Sequence, residues 1–184
     1  MVREKVFVHN NAQIMERKMW QFILGSTGFI LYFIYDINSV RMKNAVLQKF
    51  FAAGSILVVV SLIAELYAAW GSCHRKIGTM TGFGLGGFLF FCLLIYTLFF
   101  ALPFEETYCE ENKLRAAYTE GMYGLCRHPG VLWFAGAYLC MWGMVGGWKQ
   151  GIYFFLMIFW NYLYIIFQDL WTFPRTFFNY KEYQ

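Results

Sequence analysis

The side chains best equipped for chemistry stand together in one short run, Gly121-Met122-Tyr123-Gly124-Leu125-Cys126-Arg127-His128-Pro129-Gly130. Arg127 carries a planar fork of donors that matches a carboxylate or a phosphate. His128 adds a donor whose charge changes near neutral pH. Pro129 follows at once; it lacks an N–H, and its fixed φ suits a first helical turn. The pair therefore stands at a helix start, where unpaired N–H groups and the positive end of the helix dipole favour an anion. The combination predicts an anion site at the membrane surface. The plainer alternative is that Arg127 anchors to lipid phosphates and His128 only caps the helix.

Other polar residues are more isolated. Glu65 lies inside an apolar run, where a carboxylate is costly unless it faces protein or water. It is either a substrate or proton contact inside a bundle or a side chain reaching the interface beside Arg75 or Lys76. Asn161, midway along another apolar run, predicts an interhelical hydrogen bond. His9 and His74 sit in polar segments and receive no assignment. The five cysteines, Cys73, Cys92, Cys109, Cys126 and Cys140, are odd in number, scattered and without a CxxC. Neither a disulfide framework nor a metal site is indicated.

The elements that must position these groups follow from composition. Of 184 residues, 59% are hydrophobic, 22% aromatic and only 14% charged, against about 25% charged in soluble domains. Such a chain is a membrane protein. The net charge of +4 is modest and its basic residues are spread over several segments, which disfavours nucleic acid as a partner. The N-terminal segment is polar and mixed in charge, unlike a cleaved signal peptide, so the first span is expected to be retained.

Apolar runs long enough to cross about 30 Å of hydrocarbon occur at 19–37, 50–70, 82–102, 131–148 and 151–170. They are apolar on every face, which excludes the period-two pattern of a closed barrel. The expected fold is all-α: a polytopic membrane bundle of about five transmembrane helices, the last two joined by a turn of about two residues. It forms a single domain over 1–184, a three-helix part at 1–102 followed by the part at 103–184 that carries the candidate cofactor-binding and catalytic residues. Pro103, Pro129 and Pro174 all fall at element boundaries. The pairs Gly82/Gly86 and Gly143/Gly147 have the small-xxx-small spacing that lets membrane helices approach closely. The stretch 103–130 allows an interfacial helix near 105–118, with Leu114 and Tyr118 on one face. Basic residues do not settle the orientation, since the alternate segments carry seven and eight.

Gly121-x-Tyr123 followed four residues later by Arg127-His128-Pro129, then two hydrophobic spans, an acidic position and a tail ending Tyr180-x-x-Tyr183, resembles the integral membrane methyltransferases. That family includes the isoprenylcysteine carboxyl methyltransferases and phospholipid N-methyltransferases. The likeness covers about residues 119–183. Gln168 and Asp169 fall where the family usually has two glutamates, and Val131 and Trp133 stand where it often has a tyrosine and a small residue. The resemblance implies S-adenosylmethionine as cofactor, bound on the cytoplasmic side by Tyr123, Arg127, His128, Pro129, Asp169 and Tyr180. It also implies a cytoplasmic C-terminus and a lipophilic or lipidated acceptor entering from the bilayer, with Arg127 a catalytic candidate; Glu65, outside the likeness, is the second catalytic candidate, on the acceptor side, by its place in an apolar span alone. Arg127 would hold the cofactor's carboxylate, Asp169 its amine or ribose hydroxyls, and the faces of Tyr123, Tyr180 or Trp171 its sulfonium. The C-terminal halves of membrane sterol reductases look similar too, with NADPH as cofactor, although those proteins are longer. A non-catalytic membrane scaffold or ligand binder is the third reading.

Overall fold

A computed structural model describes residues 2–71, 73, 75–100 and 121–180. Helix α1 runs Val2–Ile37 and continues into a single π-helical turn, Asn38–Met42. The short α2 (Ala45–Gln48) leads into α3 (Phe50–Trp70), and α4 spans Ile77–Phe99. The single turn α5 (Met122–Leu125) precedes α6 (Pro129–Val145) and α7 (Trp148–Phe167). A second π-helical turn, Gln168–Thr172, and the short α8 (Phe173–Thr176) complete the described chain. The protein is an all-α membrane bundle. In hydrocarbon every backbone group must be satisfied within its own segment, and apolar runs of this length do so only as helices.

Four segments are long and apolar enough to cross a membrane: Met19–Met42, Ala45–Trp70, Ile77–Phe99 and Trp148–Thr176. The fourth predicted span differs. Helix α6 has 17 residues, about 26 Å of rise, which is shorter than a typical hydrocarbon core. It ends early because Gly146 and Gly147 take φ of 71° and 81°, left-handed values that glycine adopts without penalty. Trp142 closes this turn, its indole Nε1 donating to the Gly147 carbonyl at 2.9 Å. The hairpin link is therefore Gly146-Gly147, three residues before the expected 149–150, and the polar Lys149 and Gln150 belong to the first turn of α7. Gly147 thus serves the turn and not a helix–helix contact. Pro103 and the proposed 105–118 helix lie outside the described residues.

Helix α1 packs along α3, α4 along α6, and α7 joins the two pairs by touching α6 and α1. The α1/α3 crossing is backbone-close. A Cβ placed on Gly54 would stand 2.7 Å from the Gly28 carbonyl oxygen, and one on Gly28 would stand 2.8 Å from that of Gly54. Lipid tails are as apolar as leucine, so such close packing, not burial from water, holds membrane helices together. Gly54→Ala is accordingly expected to cost about 1–3 kcal/mol, read as a lower midpoint of denaturant unfolding in mixed micelles. The centre of the bundle is aromatic: Phe29 and Phe154 are fully buried, and Phe29 meets Tyr32 and Phe134 edge-on at 5.6 and 6.0 Å. Ile56, Ile63, Phe88, Phe155 and Phe159 remain exposed, as lipid-facing side chains must.

Candidate functional site

One end of the bundle gathers the end of α1, the end of α4, the start of α6 and the end of α7. Two turns pin it together. Asn38, fully buried, donates through Nδ2 to the Asn44 carbonyl at 3.0 Å and accepts the Asn44 N–H at 2.8 Å, which folds the chain from α1 back to α3. Across the bundle, the Tyr123 hydroxyl of α5 donates to the Thr97 carbonyl of α4 at 3.2 Å. That contact seats the Gly121–His128 segment against α4.

Pro129 then takes the first turn of α6, as its ring requires, and is buried. The His128 ring does not cap that helix. It turns to the end of α7, where its Nε2 lies 2.8 Å from Oδ1 and 3.0 Å from Oδ2 of Asp169. The Tyr180 hydroxyl donates to Oδ1 of the same carboxylate. Phe173 stacks parallel to the His128 ring at 6.0 Å and packs on Tyr180 at 5.3 Å. Arg127 is exposed, and its side chain reaches the Tyr180 hydroxyl. Burial and the neighbouring Asp169 carboxylate push the Tyr180 hydroxyl well above its ordinary pKa, against a smaller opposing pull from Arg127. Tyr180 is thus a neutral donor throughout the physiological range. The His128 and Asp169 side chains keep 21% and 25% of their surface, so a ligand can reach the cluster.

The structure therefore brings Arg127, His128, Asp169 and Tyr180 together, with Pro129 supporting them and Tyr123 fastening the segment to α4. Tyr183 lies outside the described residues. Trp171 is not open to a ligand cation in the way the sequence suggested. The guanidinium groups of Arg41 and Arg175 stand 5.6 and 5.0 Å from its ring centroid, and Phe167 stacks on it at 5.3 Å. Trp133 donates from Nε1 to Thr97 Oγ1 at 3.1 Å and stacks on Phe90. Its bulk is thus taken up by α4.

Glu65 is not part of this cluster. It is 3% exposed on α3, inside the bundle, where its charge bears on Tyr153. One turn earlier, Ser61 Oγ lies 2.6 Å from both the Tyr153 hydroxyl and the Gln21 carbonyl. Tyr153 precedes Asp169 by sixteen positions along α7 and its π-turn, about 24 Å at helical rise. Glu65 thus sits toward the opposite end. Asn161 also departs from expectation, since its buried Oδ1 has no hydrogen-bond partner among the described residues.

Two residues escaped the sequence reading. Asp36, 3% exposed, accepts from Gln168 Nε2 at 2.9 Å and from Thr172 Oγ1 at 3.3 Å. Thr97, 1% exposed, receives both Tyr123 and Trp133. A carboxylate at the end of an apolar run was the available signal for Asp36; nothing distinguished Thr97. Gln168 faces Asp36, so of the predicted acidic position only Asp169 serves the cluster. Among the described residues no group of histidine, cysteine and carboxylate side chains has the arrangement of a metal site. No protein-family model matches the chain, and no curated protein or solved structure is significantly similar to it.

Proposed function

We propose that this chain is an integral membrane methyltransferase that uses S-adenosylmethionine to methylate a lipophilic acceptor, either an isoprenylcysteine-like carboxylate or a lipid headgroup. The observation that carries the reading is the meeting of His128 and Tyr180 on the Asp169 carboxylate, with Arg127 alongside, at one end of a lipid-embedded bundle. An ionised carboxylate offers about four lone-pair sites. His128 and Tyr180 leave room on Asp169 for an ammonium or ribose hydroxyl. Arg127, exposed beside them, is placed for a carboxylate. The rings of Phe173 and Tyr180 give the cluster aromatic surface of the kind that attracts a cation. The cofactor supplies a sulfonium-activated methyl group, and its transfer is an in-line displacement that asks the protein for proximity, alignment and exclusion of water. Arg127 and Asp169 orient, the buried tail residue Tyr180 covers, and the bundle offers the acceptor an apolar approach. On this reading the end bearing the tail faces the cytoplasm.

One observation favours a second reading. His128, Asp169 and Tyr180 satisfy one another, so the cluster can also be a staple joining α6 to the tail of a non-catalytic scaffold. Calorimetry on the full chain in nanodiscs separates the possibilities. Binding of S-adenosylmethionine and S-adenosylhomocysteine is expected, with no binding of NADPH. Membranes carrying the chain are expected to transfer labelled methyl from S-adenosylmethionine into a lipid or lipidated-protein fraction that control membranes leave unlabelled. Affinity for NADPH alone would point to a reductase, and absence of both ligands to the scaffold.

A further inference from the structure

The π-helical turn Gln168–Thr172 lies against the end of α1. Single π turns of this kind insert one extra residue into a helix, at an energetic cost, and recur at functional sites. Here the turn is tied down from one side. Asp36 Oδ2 accepts both Gln168 Nε2 and Thr172 Oγ1, the first and last residues of the turn. Gln168 Nε2 also lies 2.9 Å from the Tyr164 hydroxyl, so the amide bridges α1 and α7. Ser39 Oγ donates to the Asp36 carbonyl at 2.8 Å, which steadies the residue itself. A buried carboxylate needs several donors to stay charged, and Gln168, Thr172 and the Tyr164 hydroxyl supply them.

Asp169 follows Gln168 directly and points the other way, to His128 and Tyr180. If the π turn rewound to α geometry, the residues beyond it, Phe173 and Tyr180 among them, would rotate by about 100° and shift by about 1.5 Å relative to α7, and Asp169 within it by part of that. A contact of 2.8–3.0 Å does not survive that. From this geometry we infer that Asp36 is a positioning residue: by holding Gln168 and Thr172 it keeps the turn in π register and so presents Asp169 to His128. Gln168 is then required as an amide, because a carboxylate there would face that of Asp36. The inference rests on the proposed function only where cofactor affinity is the readout.

The test compares Asp36→Asn, Gln168→Glu and the exchanged pair Asp36→Asn/Gln168→Glu, each as the full chain in nanodiscs at pH 8. The His128 imidazole signals are read by nitrogen NMR, assigned with His128→Asn, and Asp169→Asn marks the position of a broken contact. Gln168→Glu opposes two carboxylates; it is expected to move the imidazole signals most of the way to the Asp169→Asn position and to weaken S-adenosylmethionine about tenfold. Asp36→Asn moves them in the same direction by less. The exchanged pair restores one acid and one amide, so its signals return to the wild-type position and its affinity to within about twofold, the pattern of a coupled pair. Unmoved signals in both single variants, or an exchanged pair no better than Gln168→Glu, would overturn the inference. Where Gln168→Glu fails to fold, the nearly isosteric Asp36→Asn decides alone. If wild type binds no S-adenosylmethionine yet the imidazole pattern appears, the methyltransferase reading falls and the positioning role stands. If wild type binds it and the signals stay fixed, the reverse holds.

Discussion

Asp169→Ala is expected to weaken S-adenosylmethionine binding by about a hundredfold or more. The carboxylate is the common acceptor of His128 and Tyr180, and hydrogen bonds to charged groups are worth about 1.5–3 kcal/mol each. Removing it leaves the hydroxyl of a buried tyrosine without its acceptor and releases the ring of His128, so the cluster loses a ligand contact and its shape at once. About 1.4 kcal/mol corresponds to tenfold in affinity, so the loss of two such bonds sets the scale. Asp169→Asn keeps the shape and one acceptor oxygen and should lose less, near tenfold, while Tyr180→Phe should lose least. Calorimetric titration of the cofactor measures all three. Trypsin gives an independent check: Arg175 is exposed, and cleavage after it should accelerate in Asp169→Ala once the tail is no longer held. Unchanged affinity in Asp169→Ala, together with accelerated cleavage, would reduce the cluster to a staple.

The spans were readable because a bilayer imposes a length, and 50–70 coincides with α3 to the residue. The end of α6 was not. Lys149 and Gln150 look like a polar link, but the chain turns where two adjacent glycines can take positive φ, and a polar residue in a first helical turn at an interface costs little. The meeting of Arg127-His128 with Asp169 and Tyr180 could be anticipated only through the resemblance, since the residues are 41 positions apart between His128 and Asp169. The π turns carry no signal in sequence: Gln168–Thr172 reads as the continuation of a helix, and its insertion is stabilised from outside. That outside support, Asp36, lies 132 positions from Gln168. At the edge of an apolar run its carboxylate reads as an interfacial charge. Glu65 was the converse case. A buried acid in mid-run attracts a functional reading, yet it lies with Ser61, Tyr153 and Gln21 toward the other end of the bundle.

Arg127 sets the second large expectation, because among the described residues it is the cation at the mouth of α6 that is exposed and also reaches the cluster. If it grips the carboxylate of the cofactor, Arg127→Ala removes a charge-assisted, two-pronged contact worth about 1.5–3 kcal/mol. Affinity for S-adenosylmethionine should then fall about 10- to 100-fold. Arg127→Lys keeps the charge but not the fork, so most of that loss should persist; a lipid-phosphate anchor, by contrast, tolerates lysine as a point charge. The two roles also separate by ligand. A decarboxylated analogue of the cofactor lacks the group that Arg127 would hold, and should bind wild type and Arg127→Ala with similar, weak affinity. Equal losses for the intact cofactor and the analogue would assign Arg127 to the tail instead, through the Tyr180 hydroxyl that it already reaches. The exposed position of Arg127 makes this discrimination clean, since truncating it opens no cavity in the bundle and leaves the His128–Asp169 contact in place.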